Sequence, residues 1–365
     1  MTRYVARGLQ RYRWMGHPLR WFFPNVVYEL TTRTMQGRYL LRPSPGLRGR
    51  LVGIIARAQA LYDVQVYCFV VLSNHWHLLA SATCGEALAL FMSYVNGNIA
   101  RECGRAHDWA GPLWGRRVRP IPILDDDAAR ERLRYLIAQG VKEGLVASPL
   151  DWPGASAVPA LVDNMTVEGT WVNRDTLRRE TRRAERRGEV IDAAQHEHRI
   201  ELVLTPLPVF AKLDRLALRA THQAMIDEVV AEQHRVRGNT PVLGASAVLA
   251  QDPHAAPTLS KKSAAPVCHT SSAKIRTQFR IAYAAFVSAY RAVAERLAKV
   301  FSARHAAATI TTSETIAQRQ PRRATMLADV ATFAQLGPPG AFMRPPWFRA
   351  QPASTFGQIV RVSDG

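Results

Sequence analysis

Residues Val26 to Met35 alternate between apolar and polar as a half-buried strand does, and the alternation ends at Gln36-Gly37. After a turn containing Pro43 and Pro45, residues Leu47, Leu51, Ile54, Ala58 and Leu61 recur at helical spacing. An unbroken apolar run from Val66 to Leu72 predicts a central strand. Ser73-Asn74 then supply a tight turn, and His75 to Ala80 read as the antiparallel return. Leu88, Phe91, Met92, Val95 and Ile99 mark a second helix. Arg117 to Leu124 read as a further strand, which Pro120 and Pro122 confine to a sheet edge or a bulge. Asp125 to Asp127 start a helix that runs through Leu133, Leu136 and Ile137 towards Gly144. The order strand, helix, strand, strand, helix, strand, helix predicts an α+β fold. It is that of a ferredoxin-like sandwich, an antiparallel sheet with helices on one face, closing near Asp151-Trp152-Pro153.

Beyond residue 156 the pattern changes. Arg174 to Arg187 is very basic, Val209 to Gly238 is mixed and helical in character, and Asp252 to Pro266 reads as a proline-rich linker. From Ile275 onward Phe279, Tyr283, Phe286, Tyr290, Val293, Leu297 and Val300 step by three and four, which predicts an amphipathic helix. The expected organisation is a basic arm at 1–23, a first domain at 24–156, and a basic, mostly helical accessory region at 157–300 with its linker near 252–270. A low-order tail at 301–365 completes it. No internal repeat is visible.

Composition narrows the function. The 365 residues carry 48 basic against 29 acidic side chains, a formal charge of +19, while 47% are hydrophobic. A globular chain with that excess of positive charge calls for a polyanionic partner, and nucleic acid is the usual one. An anionic membrane surface is the rival. No stretch approaches the roughly 18 uninterrupted apolar residues of a spanning helix, so no membrane partner is expected. The basic N-terminus is interrupted by Pro18 and Pro24 and lacks the apolar stretch of a signal peptide. Cys68, Cys84, Cys103 and Cys268 show no CxxC spacing, which fits free thiols in the cytoplasm and offers no zinc knuckle.

His75-Trp76-His77 is the informative tripeptide. On a strand, residues i and i+2 share a face, so the two imidazoles sit side by side with Cα atoms about 7 Å apart. Two neutral imidazoles make half of a divalent-metal site and need a third ligand from elsewhere. The bland alternative is a pair of unrelated surface histidines. His196-Glu197-His198 repeats the spacing in a polar stretch with no sign of a strand, and reads as solvated. On the helix after the edge strand, Tyr135 and Gln139 lie off the apolar face and one turn apart, as a nucleophile and a metal ligand would. Tyr94 and Asn98 form a second such pair on the preceding helix, and spacing alone does not separate the two.

The segments Tyr67 to Leu79, Gly111-Pro112-Leu113-Trp114-Gly115-Arg116-Arg117 and Arg134 to Val146, followed by Asp151-Trp152-Pro153, occur here in that order. Together they resemble the catalytic domain of single-tyrosine HUH transposases, in particular the REP-associated tyrosine transposases, over roughly residues 24 to 156. The resemblance implies that His75 and His77 take the metal-binding positions, Tyr135 the nucleophile position, and Gln139 the position of the Gln or Asn that completes the site. The family often has Asn-Pro where this chain has Gln139-Gly140. The implied chemistry is cleavage and rejoining of single-stranded DNA through a 5′-phosphotyrosine link, assisted by Mg²⁺ or Mn²⁺. The implied partner is single-stranded or hairpin DNA, with a homodimer as the assembly to be considered.

Expected DNA contacts near that site are Asn74, Asn98, Trp114, Arg116, Arg117 and Arg119; Trp114 suits base stacking or anchoring of its loop equally. Arg178, Arg182 and Arg186 continue an i, i+4 stripe from Arg174 that fits phosphate contact or a solvated helix face. Asp125-Asp126-Asp127 fits the first turn of a helix better than a carboxylate metal site. The competing functions are a domesticated, non-catalytic protein that binds DNA hairpins and a metal-dependent phosphodiesterase that uses water.

Overall fold

The structure, a computed structural model, describes residues 19–44, 46–257 and 265–309, with backbone alone at 297–309. Among the described residues there are two compact units: one spans Phe22–Ser271, and the other contains Trp21 and the chain from Ser272 to residue 309. The arm before residue 19 and the tail beyond residue 309 lie outside the described residues. No described helix is long and apolar enough to cross a membrane.

In the first unit the elements follow the expected order. They are β1 (Tyr28–Arg33), α1 (Leu47–Leu61), β2 (Val64–Val71), β3 (His75–Ala82), α2 (Gly85–Ala106), β4 (Arg119–Pro122) and α3 (Asp126–Ile137). The four strands form one antiparallel sheet in the order β2-β3-β1-β4, the ferredoxin-like arrangement. Strand β4 takes the edge, where Pro120 and Pro122 cost no ladder bond to a further strand.

Both sheet faces are covered, so β2 and β3 are buried at nearly every position instead of alternating. Trp76, Leu78, Tyr28 and Leu30 line one face and are at most 1% exposed. An extra residue at Tyr67 interrupts the β2–β3 register between Val66 and Cys68. That bulge lets Val70 and Val71 pair with His77 and Trp76. The Asp-Trp-Pro segment is structural: Trp152 Nε1 donates to the Val71 carbonyl at 2.9 Å, and Val71 N donates to Ala155 O.

Helix α3 starts where its chemistry dictates. The Asp125 side chain accepts from Ala128 N at 2.8 Å, and Asp126 and Asp127 complement the dipole in the first turn. Asp125 also accepts from Ser271 N at 2.9 Å and from the Thr270 hydroxyl, tying down a segment far along the chain. Partial burial opposes its charge, but these donors outweigh it and hold the carboxyl below its ordinary value. A depressed folded-state pKa stabilises the fold above the unfolded value of 3.8, and that stabilisation is lost as pH falls through the lower folded value. Asp125→Asn should therefore be less stable than wild type at neutral pH, with the gap closing in acid; chemical denaturation at several pH values checks this.

Beyond residue 156 the described chain is mostly helical, as expected, and it also carries a pair of strands. After α4 (Val158–Leu161), strands β5 (Thr166–Val172) and β6 (Glu197–Val203) form a hairpin with α5 (Arg174–Glu185) between them. This hairpin lies on α1 at a separation that glycine alone permits. A Cβ at Gly53 would meet the Thr170 carbonyl oxygen at 2.2 Å, and one at Gly169 would meet the Gly53 nitrogen at 2.4 Å. Backbone atoms cannot step aside as a side-chain tip can. Gly53→Ala should lower unfolding stability by about 2–3 kcal/mol, read as a reduced denaturant midpoint of the full chain.

His198 thus lies on a strand that its polar surroundings did not signal, while it and Glu197 are exposed, in keeping with the solvated reading of His196-Glu197-His198. His196 is buried beside Glu180, and the His198 ring lies 5.6 Å from Trp171. Helices α6 (Arg215–Arg237) and α7 (Ala245–Leu249) follow. The expected linker near 252–270 is docked at both ends: Tyr39 N donates to Ala255 O, and His269 N donates to Pro122 O. Residues 258–264 lie outside the described residues. In the second unit, α8 (Ala273–Thr309) carries the predicted aromatic stripe, and Trp21 stacks on Phe286 with centroids 5.2 Å apart.

Candidate active site

Register places the histidines. Thr31 pairs with His77 and Arg33 with His75, so β1 and β3 present Glu29, Thr31, Arg33, His75 and His77 on one face, opposite Trp76 and Leu78. The two imidazole centroids are 5.0 Å apart. Helix α3 lies on this face, and its Tyr135 ring is 5.5 Å from that of His77. Tyr94, the rival tyrosine, packs edge-on against Tyr62 instead, 6.2 Å between centroids. Its partner Asn98 donates to the Tyr94 carbonyl and accepts from Arg101.

Each imidazole is held in one tautomer. His77 Nδ1 lies 3.0 Å from Glu29 Oε1 and 3.0 Å from Thr31 Oγ1. A carboxylate only accepts, so Nδ1 carries the proton and Nε2 keeps its lone pair. His75 Nδ1 lies 2.6 Å from Asn74 Oδ1, which sets the same tautomer there. Neither Nε2 has a hydrogen-bond partner among the described residues. Burial first, and then the charges of His77, Arg33 and Lys142, push the His75 imidazole down to about 3. It is therefore neutral in the physiological range, the form that ligates a metal.

Gln139 follows α3 and is buried. Its Nε2 donates to the Tyr135 carbonyl at 3.1 Å, which turns the carboxamide nitrogen back on the helix. The Oε1 atom has no hydrogen-bond partner among the described residues. Gly140 comes next at φ +84°, a conformation closed to proline, with Trp152 packed 3.2 Å from where a Cβ would stand. The helix thus ends in a left-handed turn that glycine takes readily. Among the described residues, no group of three or more His, Cys, Asp or Glu side chains is placed to hold a metal. The donor set here is two imidazoles with a carboxamide nearby in sequence to Tyr135, which fits a weakly held divalent cation that takes its remaining ligands from water or phosphate.

Charge surrounds the tyrosine. The Arg132 guanidinium lies 4.7 Å and the Lys142 ammonium 4.6 Å from the ring centroid. Glu29 is 4% exposed, with His77 on one oxygen, and His269 Nε2 2.6 Å from the other. Burial opposes its charge, but the hydrogen bonds and charges of His269 and His77 outweigh this and hold the carboxyl well below its usual range. Sequence reading missed Glu29, Thr31, Arg132, Lys142 and His269. For Glu29 and Thr31 a signal existed, since both are polar at positions that alternate with apolar Tyr28 and Leu30.

The remaining expected residues divide. Gly115 N donates to Arg33 O, so the Gly-Pro-Leu-Trp-Gly loop is fixed beside the strand that pairs with His75, and the exposed Arg116 and Arg117 follow it directly. Trp114 is half-buried and its indole donates to Asn96 O at 2.9 Å, the contact of a loop anchor. Arg119 donates to Ala265 O. On α5, Arg178, Arg182 and Arg186 are exposed, whereas Arg174, which opens the stripe, forks onto buried Glu102 at 2.6 and 2.8 Å.

No family model and no curated protein matches the chain. Solved structures similar to it include two transposase structures. A REP-associated tyrosine transposase bound to a REP hairpin shares 19% identity, covering 40% of this chain and 86% of that one, with a TM-score of 0.35. A protein of Deinococcus radiodurans R1, provisionally assigned as a transposase, also shares 19% identity. It covers 33% of this chain and 94% of that one, with a TM-score of 0.23. Both carry the transposase designation. The fold and the chemistry of this chain rest on its own residues.

Proposed function

We propose that the protein is a DNA strand transferase of the single-tyrosine kind, which cuts and rejoins single-stranded or hairpin DNA through Tyr135. The observation that carries the reading is the approach of the Tyr135 ring to His77, one of two adjacent imidazoles whose Nδ1 atoms are engaged and whose Nε2 atoms have no partner among the described residues.

His75 and His77, with Gln139 Oε1, would hold Mg²⁺ or Mn²⁺. Such a cation, when bound, polarises a non-bridging phosphate oxygen and orients the phosphate. The protein residues do the rest. Tyr135 Oη attacks phosphorus, the P–O3′ bond breaks, and the phenolic proton is exchanged for one on the departing 3′-oxygen. Arg132 and Lys142 flank the ring and stabilise negative charge as it develops on Oη and the phosphate. The phosphotyrosine ester keeps the bond energy, so a second 3′-OH can reverse the step without ATP. In this reading Tyr135 acts beside the His77 of its own chain.

Incubation of the full chain with labelled hairpin DNA and Mn²⁺ tests the reading. A denaturation-resistant adduct is expected. Cleavage without adduct would mean hydrolysis by water, and binding alone would mean a non-catalytic hairpin-binding protein. The exposed arginines give a separate prediction. Replacing Arg178, Arg182 and Arg186 together by Ala should weaken DNA binding similarly for all sequences. The slope of log K against log salt should fall by about 2–3, one unit or slightly less per phosphate contact. Binding titrations at several salt concentrations check it.

A further inference from the structure

Glu29 does more than accept one hydrogen bond. Its Oε1 faces His77 Nδ1 at 3.0 Å, while Oε2 faces His269 Nε2 at 2.6 Å and Arg132 Nη1 at 3.9 Å. The three partners come from three places: the strand of the metal site, the helix of the nucleophile, and a segment more than a hundred residues downstream. A buried carboxylate is tolerated only when it is paired, and here the groups packed against Oε2 hold the plane that aims Oε1 at His77.

The His269 segment is seated independently of its side chain. His269 N donates to Pro122 O at 2.8 Å, and Leu124 N donates to His269 O at 2.9 Å, so the segment runs alongside the chain leaving β4. Ser271 N and the Thr270 hydroxyl bind Asp125, the cap of the helix that carries Tyr135. Removing the imidazole leaves every one of these bonds in place. The seat holds the ring, and the ring holds Glu29.

We propose that Glu29 and His269 are positioning residues of the metal site: His269, from outside the predicted domain, orients Glu29, and Glu29 orients His77 and sharpens Nε2 as a ligand. Carboxylate partners of metal-bound histidines are worth roughly 10–100-fold in metal affinity. The inference rests on the reading of His75 and His77 as metal ligands.

The experiment is Mn²⁺ binding to the full-length protein, followed by electron paramagnetic resonance of the free ion, on wild type, Glu29→Gln, His269→Ala and His269→Gln. Thermal melting accompanies each. Glu29→Gln should weaken Mn²⁺ binding about 10-fold or more. His269→Ala should weaken it several-fold, and His269→Gln, whose carboxamide can still donate to Oε2, should recover part of the loss. Melting temperatures of the two His269 variants should agree closely. A His269→Ala protein that binds Mn²⁺ like wild type overturns the inference while leaving the metal site standing. An equal loss in His269→Ala and His269→Gln, tracking a lowered melting temperature, also overturns it, because the residue is then structural. A wild-type protein that binds no Mn²⁺ overturns the reading of the site itself.

Discussion

A Tyr135→Phe protein will bind hairpin DNA with nearly unchanged affinity and form no denaturation-resistant adduct. Strand cleavage should fall by about three orders of magnitude or more, as when a covalent nucleophile is removed from any enzyme that depends on one. The substitution deletes one hydroxyl and leaves the ring between Arg132, Lys142 and His77, so packing is preserved. Gel electrophoresis under denaturing conditions with end-labelled DNA reads both outcomes. Loss of binding together with cleavage would show that the hydroxyl serves substrate recognition instead.

The second large effect concerns the imidazoles. His75→Ala with His77→Ala should abolish measurable Mn²⁺ binding, a loss of more than about a hundredfold, since it removes the ligands themselves and not their supports. Adduct formation should fall with it. DNA affinity should stay within a few-fold, because the exposed arginines of α5 and Arg116 and Arg117, proposed to contact phosphate, are untouched. The single His77→Ala variant carries an extra cost that His75→Ala does not. It leaves Glu29 buried with one oxygen unpaired, so its stability should drop by about 1–3 kcal/mol, which a denaturant titration of the two single variants would resolve.

Much of this was legible from residue patterns, and the gaps have physical causes. Strand β3 announced itself because its neighbours were unambiguous: a long apolar run, a polar turn, and then histidines at alternate positions. Helix α3 was readable from its three leading aspartates, and the structure makes the first of them its cap. Hairpin β5–β6 was not readable. Thr166–Val172 alternates weakly, and its burial depends on Gly53 and Gly169, whose meeting across more than a hundred residues leaves no local trace. The same blindness hid the fate of the proline-rich segment. Prolines mark a chain that cannot extend a helix, but they do not say whether it floats or docks. Here Ala255 accepts from Tyr39, and His269 reaches Glu29.

At the site, one-dimensional spacing gave two equivalent tyrosines, Tyr94 and Tyr135, each with a carboxamide one turn on. Geometry separates them, since only Tyr135 approaches an imidazole. The supports of the histidines were harder to see than the histidines. Thr31 and Glu29 act across the sheet through register, and register is a property of strand pairing that no single segment carries.

The most direct test of the central claim is to locate the covalent bond. Full-length protein is incubated with hairpin DNA and Mn²⁺, nuclease trims the DNA to a short remnant, and tryptic peptides are analysed by mass spectrometry. The account predicts a nucleotide-phosphate adduct on the peptide containing Tyr135, with fragmentation placing it on that side chain. Cleaved DNA with no peptide adduct, or an adduct on any other residue, would contradict it.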